Sequence, residues 1–128
     1  MAIHIVRLGS PRSAGEGPRL GTVRRPPRGV PKSAHASGDW YDVWLPILAP
    51  QAGTVSLALA ADSAQDWARF VRRYRAEMKR PECRQTLTLL AALLQQTDFS
   101  VGCYCADESR CHRSLLRELL LAHGATLA

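Results

Sequence analysis

Residues 9–38 are a run of Gly, Pro, Ser and Arg that neither a long helix nor a central strand can accommodate. Within it, Pro26-Pro27-Arg28-Gly29-Val30-Pro31-Lys32 loses backbone donors at each proline and has φ fixed there, so it presents its arginine from a stiff, extended backbone. Leu20 to Val23 is the one part able to form a short strand. A connection this long inside a small domain is unusual and points to a functional loop or to disorder. Regular structure must therefore come from the first eight residues and from the chain beyond residue 38.

Residues 3–8 alternate weakly and carry β-branched side chains, which predicts a first strand. Tyr41-Asp42-Val43-Trp44-Leu45 is aromatic and apolar and stops at Pro46; strand and short helix both fit it, and core filling accounts for its composition. The apolar run 55–61 is equally open. Asp62-Ser63, with Asp66 three residues after the serine, reads as a helix cap. Trp67, Phe70, Val71, Tyr74 and Met78 then recur at helical spacing, with Arg69, Arg72, Arg73, Arg75, Lys79 and Arg80 over the rest of that surface. Pro81 breaks this helix and suits the first turn of another, whose inward face is Leu87, Leu90, Ala91 and Leu94 and whose end falls near Gln96. Residues 99–105 read as a short buried strand, and leucines at 115, 116, 119 and 120 mark a last helix over 112–123. A strand, then helix, helix, strand and helix, implies an α/β fold: a single compact domain over 1–128 with a small, mainly parallel sheet flanked by helices.

Charge is unevenly distributed. Residues 1–38 hold seven Lys/Arg against one acid, Glu16, whereas the other ninety hold ten of each sign. That asymmetry points to an anionic partner at the N-terminal end, whether a phosphate-bearing small molecule, a nucleotide or nucleic acid; a solvated basic loop is the alternative. No apolar run approaches the roughly 18–20 residues that span a bilayer, and the N-terminus lacks a signal-peptide pattern, so no membrane association and a cytoplasmic location are expected. In that setting four cysteines are expected as thiols, metal ligands or redox groups rather than disulfides.

Three of those cysteines, Cys103, Cys105 and Cys111, fall with His112 and Arg113 at the predicted strand–loop–helix junction. Zinc would accept these residue types. The spacing argues against it, since adjacent Cys111 and His112 should diverge on a helix turn, and no metal ligand is assigned. Thiol chemistry is the second reading, because a strand end and a helix start next to His112 and Arg113 can lower a thiol pKa. Burial as small hydrophobes is the third, for Cys103 above all. A phosphatase-type loop fails: Cys105 and Arg113 have seven residues between them, too many for that loop. An anion site at the helix start, with His112 and Arg113, survives.

Arg24-Arg25-Pro26-Pro27-Arg28-Gly29-Val30-Pro31-Lys32, Trp44 with Leu48-Ala49-Pro50, and Trp67-x-x-Phe70-x-x-x-Tyr74-x-x-Glu77 together resemble the YeaO-like branch of domain-of-unknown-function family 488. The segment CYCADESRCHRS resembles the Cys-x-Cys…Cys-His-Arg signature of other members, whereas the YeaO-like branch has a cysteine-free segment there. The resemblance covers residues 3 to 124, implies a compact α/β domain and directs attention to Arg25, Arg28, Tyr74, Glu77 and Arg113. It brings no reaction with it.

These readings combine into one expected pocket at the carboxyl end of the sheet, where the arginine segment folds over the thiol–imidazole turn. Ser10, Arg12, Arg25, Arg28, Tyr74 and Arg113 are the expected ligand contacts. Cys105 or Cys111 is the expected nucleophile and His112 or Glu77 the expected proton carrier, with no cofactor required and zinc the one metal considered. A non-catalytic nucleic-acid module, resting on the basic N-terminal third and the basic helix face, and a thiol or zinc sensor are the alternatives.

Overall fold

The computed structural model describes residues 3–105 and 111–124. Four strands and four α-helices occur in chain order: β1 (Ile3–Arg7), β2 (Arg19–Gly21), β3 (Val43–Trp44), α1 (Ala52–Ala60), α2 (Ala64–Met78), α3 (Pro81–Leu93), β4 (Phe99–Cys103) and α4 (His112–Ala122). The sheet is parallel throughout, in the order β1-β4-β2-β3. The fold is α/β, as the alternation of elements predicts.

β4 lies between β1 and β2, and all five of its residues are buried. That position explains its composition: a strand covered on both faces needs small or apolar side chains at every position. Its register, Ile3 opposite Phe99 and Arg7 opposite Cys103, with Gly21 opposite Gly102, brings the ends of β1 and β2 level with the cysteine end of β4. Leu8 N–H donates to Cys103 O at 2.8 Å and Thr22 N–H to Gly102 O at 3.1 Å, extending the ladder by one residue on each side. The carboxyl edge of the sheet is thereby built from Leu8, Thr22 and Cys103.

The helices obey the apolar stripes. Ser63 caps α2 by accepting from the Asp66 amide, and Phe70, Tyr74 and Met78 are its buried residues. Pro81 opens α3, which buries Cys83, Leu87, Leu90 and Ala91, and α4 buries Leu115, Leu116 and Leu120. These side chains, Ala91 apart, form one core with Ile3, Phe99 and Val101 from the sheet. The two open segments are settled by tertiary packing. Residues 43–44 pair with β2 as an edge strand, Pro46–Leu48 is a 3-10 turn, and the run 55–61 forms the later part of α1, which lies on α2, with Ala61 as its C-cap. Among the described residues no helix is long and apolar enough to cross a membrane.

The first part of the Pro/Gly/Arg segment, residues 9–19, is ordered around a cation instead of lying open. Arg19, fully buried on β2, donates from Nε to Glu16 and from its Nη atoms to the carbonyls of Ser10 at 2.8 Å, Asp39 at 2.6 Å and Pro11 at 3.1 Å. Glu16 accepts in turn from the Ser13 amide at 2.9 Å. Gly17 (φ +68°) makes the turn into β2, and a Cβ there would overlap the backbone oxygen of Asp98, so no other residue fits. Arg12 reaches Asp42 at 2.8 Å and Asp39 at 3.3 Å. The acids that neutralise Arg12 thus lie beyond residue 38, and the basic surplus of the N-terminal third is partly cancelled in space.

Candidate functional site

Cys103 ends β4, buried, and Cys105 lies exposed beyond the strand. The polar loop Ala106 to Arg110 lies outside the described residues. Cys111 is the N-cap of α4 with an extended backbone, φ −137° and ψ 153°, and His112 is the first helical residue. That conformation corrects the expected divergence of Cys111 and His112. Side chains one residue apart point away from each other inside a helix, but an extended cap turns the first back beside the second. Cys111 Sγ and His112 Nδ1 are 3.6 Å apart, and the potential ligand atoms of Cys103, Cys111 and His112 all lie within 4.8 Å of one another.

The imidazole is oriented from behind. His112 Nε2 is 2.6 Å from the carbonyl oxygen of Thr22, which can only accept, so Nε2 carries the proton and Nδ1 offers its lone pair to the thiols. Tyr74 holds the ring from the core in an edge-on contact at 5.6 Å between centroids. Burial pushes the His112 pKa down to about 4, against the opposing pull of the Thr22 carbonyl, so the ring is neutral at pH 7.

The three thiols titrate as a unit. Hydrogen bonds with Cys105 and then Cys111, with burial third, push Cys103 far upward. The bond with Cys103 favours the Cys111 thiolate, but the bond with Cys105 and burial outweigh it and leave Cys111 at about 11. Cys105 moves the other way: hydrogen bonds from Cys103 and Cys111 lower its pKa, overcoming partial burial, with help from His112 and Arg113. The negative charge of the cluster therefore belongs at the exposed sulfur. The Cys105 amide adds a 3.4 Å contact to Cys103 Sγ.

A cavity of about 510 Å³ opens onto this cluster. Cys103, Cys105, Cys111 and His112 form one side, Val55 and Phe70 contribute apolar wall, and Arg25 reaches its rim. A second cavity, of about 620 Å³, is lined by Arg7, Arg25, Arg28, Ser10, Trp40 and Tyr104. Arg25 and Tyr104 border both. Tyr104 is fixed by its hydroxyl, which donates to Arg25 O at 2.8 Å, and by an edge-on contact with Trp40.

Of the expected site residues, Arg25, Cys105, Cys111 and His112 line one cavity, and Ser10 and Arg28 line its neighbour together with Arg25. The others are engaged elsewhere. Arg12 is tied to Asp39 and Asp42. Tyr74 is fully buried, its hydroxyl donating to Leu48 O at 2.7 Å. Glu77 accepts from the Gln51 amide at 2.8 Å and from the Thr54 hydroxyl, fastening the start of α1 to α2. Arg113 is buried and donates to Cys105 O at 2.6 Å, which holds the backbone at the thiol; its Nε has no partner among the described residues. Thr22, Trp40, Tyr104 and Arg7 were not singled out by the sequence. Thr22 acts through its backbone carbonyl and leaves no signal at all, while Tyr104 stood between two cysteines that drew attention from it.

The sequence profile of DUF488-N3a, described as the active DUF488-N3 subclade, matches residues 3–124. The chain belongs to the DUF488-N3a family. No curated protein and no solved structure matches it. The match takes in every element of this DUF488-N3a domain, including the cysteine–histidine turn and both cavities.

Proposed function

We propose that this DUF488-N3a protein binds a phosphate-bearing small molecule of nucleotide type across the two adjoining cavities and presents the Cys105 thiol to it. The observation that carries this reading is that Arg25 and Tyr104 border both cavities, one holding the thiol–imidazole cluster and the other Arg7 and Arg28. Arg7, Arg25 and Arg28 are exposed, and none of them forms an ion pair among the described residues, so no carboxylate of those residues competes with an incoming anion. Trp40 and Tyr104 offer aromatic surface beside them, and the apolar wall of the first cavity suits the uncharged part of a ligand. Arg12 and Arg19 are paired with carboxylates within the fold, whereas Arg24, which also lines the first cavity, is held by the carbonyls of Pro46, Ala49 and Pro50.

The test is protection. Purified protein is treated with iodoacetamide in the presence of nucleoside monophosphates and diphosphates, inorganic phosphate or pyrophosphate, and alkylation of each cysteine is mapped by mass spectrometry. Cys105 is the expected target, and a phosphate-bearing ligand is expected to slow its modification. The double variant Arg25→Ala, Arg28→Ala should raise the concentration needed for protection by about ten- to hundredfold per lost charge-assisted hydrogen bond. No protection by any member of the panel, or protection that the double variant leaves unchanged, rejects the reading. Binding of single-stranded oligonucleotide without binding of mononucleotides would reject it in favour of a nucleic-acid module.

A further inference from the structure

We infer that Cys103, Cys111 and His112 hold a single zinc ion, with two thiolates and Nδ1 as its protein ligands and the fourth position open toward Cys105 and the cavity. The inference is independent of the ligand reading above, since it rests on the buried cluster and not on the arginines.

Three features carry it. The potential ligand atoms of the three residues are already within 4.8 Å of one another, and all three side chains are buried, so little rearrangement is needed to bring them around one ion. The imidazole is set in the tautomer that a metal needs. Its Nε2–H is committed to the Thr22 carbonyl at 2.6 Å, an outer hydrogen bond of the kind that orients metal-bound histidines, and Nδ1 faces Cys111 Sγ. The donors are two sulfurs and one nitrogen, a soft set that selects zinc over magnesium or calcium.

The elements that bring the donors are rigid. Cys103 ends a strand hydrogen-bonded on both sides, and Cys111 and His112 begin a helix packed on the core. Three protein ligands and an exchangeable fourth are the pattern of a reactive zinc rather than a closed structural one. Cys105 is exposed, with its amide 3.4 Å from Cys103 Sγ, and stands beside that open position without serving as a ligand. Cys83, the remaining cysteine, packs in the core described above, against Ile47 O and Arg80, and takes no part.

The experiment uses the whole chain, stripped with chelator under reducing conditions, reloaded with zinc and dialysed. Metal content is measured by plasma mass spectrometry, and free thiols are counted with dithionitrobenzoate after unfolding in guanidinium, since Cys83, Cys103 and Cys111 are buried in the folded chain whether or not metal is bound; cobalt(II) replaces zinc in a parallel sample. One zinc per chain and the ligand-field and thiolate-to-cobalt charge-transfer bands of a tetrahedral site are expected. Cys111→Ser and His112→Gln should lose the metal, while Cys105→Ser and Cys83→Ser retain it. Circular dichroism confirms that each variant folds, and the wild-type metal content and cobalt spectrum stand even where one does not. No retained metal in a reloaded wild type whose four thiols are reduced overturns the proposal. Loss of metal from Cys105→Ser as complete as from Cys111→Ser overturns the three-ligand assignment.

Discussion

Arg19 and Glu16 form an ion pair closed off from solvent, their side chains 1% and 3% exposed. The pair sits on β2 and in the loop before it, and the same guanidinium gathers the carbonyls of Ser10, Pro11 and Asp39. Those bonds set the path of residues 9–18, and Ser10 at their start lines the arginine cavity. Replacing Arg19 with Met leaves Glu16 buried without its cation, which costs about 3–5 kcal/mol. Urea unfolding of Arg19→Met should show a loss of that size. A change below about 1 kcal/mol, the range of exposed ion pairs, would mean that the pair is open to solvent.

Acid should loosen the same region. Burial by itself would raise the Glu16 carboxyl, but the Arg19 bond, the Ser13 amide and the charges of Arg19 and Arg12 hold it below its ordinary 4.5. Burial likewise opposes, and the Arg19 amide and Arg12 outweigh, at Asp42, which lies below its ordinary 3.8. Both carboxylates bind protons more weakly folded than unfolded. Their contribution is complete above the ordinary values and disappears as pH falls through the lowered ones. Melting temperature measured from about pH 6 down to about pH 3 should fall on the acid side, and Glu16→Gln should flatten that fall.

Glu77 is predicted to act on stability and not on ligand binding. Its carboxylate accepts from the Gln51 amide and the Thr54 hydroxyl. Hydrogen bonds to a charged group contribute about 1.5–3 kcal/mol each, so Glu77→Ala should destabilise the protein by a few kcal/mol. Protection of Cys105 by a phosphate-bearing ligand should be unchanged in the folded variant. A large loss of protection with little loss of stability would return Glu77 to the site.

Tyr74 makes a parallel case. Its buried hydroxyl donates to Leu48 O at 2.7 Å, so Tyr74→Phe removes one hydrogen bond at nearly constant volume. The expected loss is about 0.5–1.5 kcal/mol by thermal or urea unfolding, with ligand binding intact.

The cysteine–histidine turn shows how far residue order could be read. The residue types and the strand-to-helix junction were legible, because β4 is short and uniformly buried and α4 carries leucines at helical spacing. The convergence of Cys111 with His112 was not. It depends on the extended backbone of the N-cap, and on the Thr22 carbonyl, brought there by the pairing of β2 with β4. Glu77 and Tyr74 were drawn toward the site by their place in a motif, while their partners, Thr54 and Leu48, lie on neighbouring elements.

Local pattern alone determined the α/β class, the cap of α2, the proline start of α3, the inward faces of α2, α3 and α4, and the buried strand before α4, because burial repeats along a helix or strand with a period that neighbouring residues record. The assignment of each arginine was decided only in three dimensions. Arg12 and Arg19 found carboxylates and carbonyls remote in the chain, Arg24 carbonyls at the wall of the first cavity, while Arg7, Arg25 and Arg28 face cavities with no carboxylate partner among the described residues. A guanidinium at the end of a long side chain bonds to whatever acceptor the packing brings within reach, and no periodicity in the chain encodes which acceptor that will be.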